Sequence, residues 1–269
     1  MSEPKVTIII PTYNRPVSLA ELLGALCQQT FQDFEVIIVN DAGQDISRIV
    51  ELYPDLSCRL INLKENGHHV RARNMALPYV KGEWIMLVDD DDLILPTHME
   101  TMLSESEGYD FIYSDVEIVN YRETESGRVP LSRKLFAYDF NLEAMRKFST
   151  YVPSGSMYRS VIHKEIGPFD ENVRNYWDWD FFLRVAGTYR VKRLPVASVL
   201  YEFSDAGNNQ SKNTGKMRPY LDLLAEKHNL GHLPTKNFFL LLEEPGVKER
   251  ESKSKRIWNG EMPPSRLKG

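Results

Sequence analysis

The chain has 269 residues, 42% of them hydrophobic and four of them tryptophan, enough for one large domain with a sizeable core. Its formal net charge of −5 excludes a general nucleic-acid binder, and no apolar run approaches the ~18 residues needed to span a bilayer. The N-terminus leaves no room for a signal peptide, and the two cysteines, Cys27 and Cys58, lie in apolar surroundings without metal-ligand spacing, so a reduced, cytoplasmic protein is expected.

Val6 to Ile10 is a β-branched run that Pro11-Thr-Tyr-Asn-Arg-Pro16 ends with turn chemistry, and Leu19, Leu22, Leu23 and Leu26 then recur at helical spacing. Phe34 to Val39 is a second buried strand, closed by Asn40-Asp41 and Gly43, and Ile46 to Tyr53 is a short helix. Cys58 to Leu63 is a third strand, and Asn66-Gly67-His-His enters a helix from Val70 to about Tyr79. Trp84 to Val88 is a fourth, followed by a helix from Pro96 to about Ser104, and Phe111 to Asp115 is a fifth. This alternation predicts a doubly wound α/β fold, Rossmann-like, with a mostly parallel central sheet flanked by helices. Residues 1–115 read as its nucleotide-binding half.

After residue 115 the pattern loosens into a less regular half, 116–230, expected to bind the acceptor. Val116 to Tyr121 is strand-like, Arg122 to Arg133 is polar and loop-like, and Leu142 to Phe148 is helical. Tyr151-Val-Pro-Ser-Gly-Ser-Met-Tyr-Arg159 returns towards the sheet, and a Gly-Pro turn at Gly167-Pro168 follows a helix end. Asp178 or Asp180 opens an amphipathic helix that Gly187 stops, and Val191 to Phe203 holds one or two strands. Ser204 to Gly215 reads as a loop able to close over a ligand, and Pro219 to Leu230 as a helix. The remainder, 231–269, is an extension whose tail from Lys248 carries seven Lys or Arg against three Glu. That tail reads as solvated and partly disordered, or alternatively as a peripheral membrane contact.

Chemistry concentrates where the fourth strand meets Asp89-Asp90-Asp91-Asp92. Strand alternation would send Asp89 and Asp91 one way and Asp90 and Asp92 the other. Carboxylates at the carboxyl end of a parallel strand can hold Mg²⁺ or Mn²⁺, which in turn binds phosphate. The alternative is a solvated acidic turn, with Asp92 capping the next helix. Three further loops, Pro11 to Arg15, Asn40-Asp41 and Asn66 to Asn74, would share that edge. There Tyr13 can stack on a base, Asp41 can accept from a base or ribose, and Gly67 lets the backbone approach a ligand. His68, Arg71 and Arg73 add basic groups, but two residues apart on a helix Arg71 and Arg73 cannot share a face. Trp177-Asp178-Trp179-Asp180 offers either a partly desolvated general base or an N-cap with both tryptophans in the core.

Val-Thr-Ile-Ile-Ile-Pro-Thr-Tyr-Asn-Arg, Val-Ile-Ile-Val-Asn-Asp, Asn-Gly-His-His-Val-Arg-Ala-Arg-Asn, the acidic run, and Gly-Pro-Phe-Asp-Glu with Trp-Asp-Trp-Asp follow in order from Val6 to Phe203. Together they resemble the inverting family 2 nucleotide-sugar glycosyltransferases, which have the GT-A fold. The resemblance implies a metal-dependent transfer from a nucleoside-diphosphate sugar, uridine favoured, to a sugar, glycan or lipid-linked acceptor in bacterial-type polysaccharide synthesis. It assigns the catalytic base to Asp178 and the metal to Asp91 with Asp89. With the loop reading, it gives the nucleotide-sugar-binding residues as Pro11, Thr12, Tyr13, Arg15, Asp41, His68, Arg73, Asp89 and Asp90. Two departures stand out: Arg71 replaces a frequent Ala, and Tyr201-Glu202-Phe203-Ser204 lacks the His of a Tyr-Arg-x-His motif. Water or a residue of Asn208 to Lys212 would then complete the metal shell. The rival readings are a non-catalytic sugar-nucleotide-binding protein and a sugar nucleotidyltransferase. No Gly-x-Gly-x-x-Gly follows a strand, which disfavours a dinucleotide oxidoreductase.

Overall fold

The computed structural model describes residues 3–124, 127–203, 214–236 and 238–268. In the first half β1 (Val6–Thr12), α1 (Pro16–Cys27), β2 (Phe34–Asn40), α2 (Ser47–Glu51), β3 (Cys58–Asn62) and α3 (His68–Ala76) alternate, as the periodicity predicts. They lead to β4 (Trp84–Leu87), β5 (Leu93–Ile94) and α4 (His98–Ser104). The second half holds β6 (Phe111–Thr124), β7 (Gly127–Phe136), α5 (Leu142–Met145), β8 (Met157–Arg159), α6 (Ile162–Ile166), α7 (Trp177–Ala186) and β9 (Val191–Glu202). Last come α8 (Thr214–Lys227), α9 (Phe238–Leu242), α10 (Pro245–Lys248) and β10 (Lys255–Arg256).

These strands form one sheet in the order β10-β9-β6-β8-β4-β1-β2-β3, with β7 paired to β6 and β5 to β9. The β1–β2, β2–β3, β1–β4 and β6–β9 pairs are parallel, while β8 is antiparallel to both β4 and β6. The sheet is buried on two faces, which is why the first-half strands are apolar at nearly every position. Val6, Ile8, Ile10, Trp84 and Met86 pack into one core, and Ile9, Ile37, Val39, Ile85 and Leu87 into the other. The register sets Thr12 opposite Asn40 and Asn40 opposite Asn62, so three strands end level. Their following loops therefore meet along one edge.

Three expectations are corrected. Apart from residues 125 and 126, which are not described, the polar span 122–133 is strand rather than loop: β6 runs on to Thr124 and pairs antiparallel with β7. Its polar side chains have partners in the body of the protein, since Arg128 is buried and pairs with Glu21 and Glu202, and Arg133 pairs with Glu117. The last long helix starts at Thr214 and includes Pro219, whereas the expected loop falls at 204–213, outside the described residues. The tail is packed against the body over its described length, although most of its charged side chains are exposed, as the solvated reading expects. β10 pairs with β9, Trp258 is buried beneath Arg133, and Arg266 reaches Asp55 and the Leu52 carbonyl. Lys248, Arg256 and Arg266 are ion-paired with Glu243, Glu117 and Asp55, so much of the tail's charge is neutralised within the chain. No described helix is long and apolar enough to cross a membrane.

Candidate active site

The acidic run does not continue the strand. β4 stops at Leu87, and the Asp92 N–H donates to the Asp89 carbonyl across 3.1 Å, closing a turn that abolishes the expected alternation. Asp89, Asp91 and Asp92 each offer a carboxylate oxygen, all within 4.8 Å of one another, while Asp90 turns away. Asp90 accepts from Thr12 Oγ1 at 2.6 Å and Arg15 Nη1 at 3.1 Å, and burial together with the Asp91 charge pushes its pKa up to about 7. Arg15 also pairs with Asp91, whose carboxyl burial raises above its ordinary range. Asp92, 1% exposed, accepts from Ser154 Oγ and from the Glu202 N–H at 2.8 Å, so it is a fixed member of the cluster. Three carboxylates and no softer donor suit a hard divalent cation. Asp89 and Asp91 would be its more accessible ligands, with the buried Asp92 as the third carboxylate of the group.

Support for this turn comes from residues that the sequence did not single out for it. Ser154 Oγ accepts from the Asp89 N–H at 3.0 Å while donating to Asp92, so the Pro153-Ser-Gly-Ser156 turn, expected on the acceptor side, braces the acidic run. Gly155 makes that approach possible. Its φ is +78°, and an added Cβ would lie 2.4 Å from Val199 Cγ2. Arg128, from the hairpin read as a loop, donates to the Asp91 carbonyl at 2.7 Å and pairs with Glu21 and Glu202. Glu202, at the arginine position of the family motif, thus meets an arginine from another strand.

The nearby loops divide into an exposed layer and a supporting one. Tyr13 (49% exposed), Arg15 and His68 remain accessible, and burial holds His68 below its usual pKa. Pro11 and Thr12 are buried in β1, and Asp41 is buried with Oδ1 accepting from the Gly67 N–H at 2.8 Å. Beside Gly67 lies the exposed Arg71 side chain, whose Cδ is 2.4 Å from where an added Cβ would stand. Asn14, Ala42 and His68 adopt φ values of +55°, +59° and +67°, each in one of these loops. Such conformations cost roughly 1–3 kcal/mol apiece and persist where the surroundings enforce them, commonly at functional sites. Arg73 is 1% exposed and lies behind Asp89, with which it pairs, so it reaches a ligand only through that carboxylate.

Arg73 also joins the second constellation. Its guanidinium lies 4.0 Å from the Trp177 ring centroid, at the start of α7. Neither aspartate caps this helix, because Tyr176 is the N-cap residue and makes no side-chain cap bond. Trp177 is core, and the Trp179 indole N–H donates to the Met145 carbonyl at 2.7 Å. Asp178, on the first turn, keeps some exposure and lines a cavity of about 220 Å³. Burial raises its pKa to about 6, against the opposing pull of the Trp179 N–H and the Arg73 charge. Asp180 differs in every respect. Fully buried, it binds Arg184, Lys227 and His228 at 2.9, 2.7 and 2.8 Å, and those partners outweigh burial to hold its pKa at about 2. One carboxylate is poised near neutrality and the other is a locked structural anion.

A model of Glycosyl transferase family 2 matches residues 7–167. Over 264 residues the chain is 56% identical to an uncharacterised glycosyltransferase, YwdF, of Bacillus subtilis, covering 98% of both chains. It is 33% identical over 167 residues to the poly(ribitol-phosphate) β-N-acetylglucosaminyltransferase TarS of Staphylococcus aureus, which covers 60% of this chain but 28% of TarS. The structure of TarS 1–349 with UDP-GlcNAc superposes with a TM-score of 0.67 at 24% identity, over 83% of this chain and 66% of that one. A mannosyltransferase from Pyrobaculum calidifontis, solved with GDP-Man and Mn²⁺, gives 0.56 at 17% identity over 86% and 70%.

Proposed function

Because the chain belongs to glycosyl transferase family 2 and has the GT-A fold, we propose that this glycosyltransferase moves a sugar from a uridine diphosphate donor to an acceptor hydroxyl with inversion. Asp178 takes the acceptor proton as that oxygen attacks the anomeric carbon, and the nucleoside diphosphate departs with the bonding electron pair. Tyr13 offers a face for the base, and Arg15, already at the carboxylates, is the cation at hand for the diphosphate. Asp91 and Asp89, with Asp92 behind them, would hold Mn²⁺ or Mg²⁺. When bound, such an ion supplies Lewis-acid stabilisation of the leaving diphosphate.

The observation that carries this reading is the meeting at Arg73. Its guanidinium pairs with Asp89 and lies over the ring of Trp177, the residue next to Asp178. The acidic run and the segment that carries the base thus meet at one buried cation, which favours a single displacement between donor and acceptor. The names of TarS, and its structure with UDP-GlcNAc, support UDP-GlcNAc as the first donor to test and a surface glycan as the setting. The test is UDP release from UDP-GlcNAc with Mn²⁺. Asp178→Asn should lower kcat by roughly 10²–10⁴-fold while UDP binding stays unchanged. Equal turnover by both proteins would place the base elsewhere, and pyrophosphate as the product would indicate nucleotidyl transfer instead.

A further inference from the structure

The cavity beside Asp178 has one strongly apolar wall. Phe148 and Tyr151 line one side, Tyr201 and Phe203 come from the end of β9, and Trp179 comes from α7. The opposite wall is Met217 and Leu221 of α8 with Leu233, Phe238 and Leu241 of the C-terminal extension. Polar side chains also line the cavity: Asp178, Lys147, Ser149 (whose Oγ is buried without a partner), Asn175, Tyr176, Thr235 and Lys236, but the wall made by Met217, Leu221, Leu233, Phe238 and Leu241 offers none. Phe238 stacks with Phe203 and Phe136, so the extension is tied into this wall rather than laid loosely over it.

An unmodified sugar laid against the Met217, Leu221, Leu233, Phe238 and Leu241 wall would surrender water from its hydroxyls and find no side-chain partners for them there. An apolar chain or ring would gain from the same transfer, at about fourfold in affinity per buried methylene. Small-molecule sites of this kind, mostly apolar with a few convergent polar groups, fix orientation through those groups. Here the group fixed is the hydroxyl that meets Asp178.

We propose that the acceptor is amphipathic: it presents its hydroxyl to Asp178 from an apolar portion that fills the cavity between α7, the end of β9 and the C-terminal extension. This inference rests on Asp178 as the acceptor base. It makes Leu233, Phe238 and Leu241 of the C-terminal extension part of the acceptor site.

The test is calorimetric titration of the full chain with methyl, butyl and octyl β-D-glucoside, each below its micellar concentration, with UDP and Mn²⁺ titrated into the same preparations. Octyl glucoside should bind at least tenfold more tightly than methyl glucoside. Met217→Gln and Leu241→Gln, on half-buried positions of separate elements, should each weaken octyl glucoside at least fivefold and leave UDP binding unchanged. Affinity independent of alkyl length, or octyl binding indifferent to both variants, overturns the inference. Loss of UDP binding with the alkyl series intact overturns the donor reading alone.

Discussion

Two carboxylates two residues apart on one helix have opposite characters, and their surroundings explain both. Asp178 opens on a cavity lined by aromatic and aliphatic side chains, and burial lifts its pKa to about 6. Only the ionised form accepts a proton, so kcat/KM should fall tenfold per pH unit below about 6 and level off above it. A flat profile between pH 5 and 7 would contradict a base with this pKa. Asp180 lies in a closed nest of cations that lowers its pKa from 3.8 to about 2. A folded-state value below the unfolded one means a stabilising contribution that is complete above about pH 4 and is lost as pH falls towards 2. Asp180→Asn should cost roughly 3 kcal/mol in urea unfolding at pH 7, because it strands buried cations, and should leave the pH profile of turnover unmoved. Asp178 was legible from its residue type and its tryptophan neighbours. What separates it from Asp180 was not, since Lys227 and His228 are some fifty residues away and become neighbours only when α8 docks on α7.

At the level of elements, the acidic run is a turn held from several sides rather than the end of a strand. Thr12 and Arg15 hold Asp90, Arg73 holds Asp89, Ser154 and the Glu202 backbone hold Asp92, and Arg128 holds the Asp91 carbonyl. Groups that orient metal ligands commonly matter by 10–100-fold in affinity when removed. Ser154→Ala should therefore weaken the Mn²⁺-dependent part of UDP binding about tenfold, while UDP affinity without metal changes little. An unaltered metal dependence would remove the turn at 153–156 from the site. The four loops were readable as sharing an edge because parallel strands end together. The bracing by Arg128 was not, because a polar stretch beside a turn looks like a loop until its antiparallel partner is known.

Across the whole molecule, alternating apolar strands and amphipathic helices announced the parallel half, and the buried strand pattern on both faces bears that out. The insertion of β8 antiparallel between β4 and β6 was beyond periodicity, since a three-residue strand carries no pattern of its own. Nor did charge reveal the fate of the C-terminal segment. Its lysines and arginines read as a solvated tail, yet it adds a strand to the sheet, reaches back towards α2, and contributes a wall to the cavity at Asp178. The chain thus brings the loops after β1 to β3, the acidic turn and Asp178 into one body, and in the proposed function the loops and the turn act together on a uridine nucleotide. Calorimetric titration of UDP into the wild-type chain and Asp91→Ala, each with and without Mn²⁺, tests this most directly. The expected result is that Mn²⁺ tightens UDP binding at least tenfold in the wild type and has no effect in Asp91→Ala. Equal UDP affinity in the wild type with and without Mn²⁺ would contradict it.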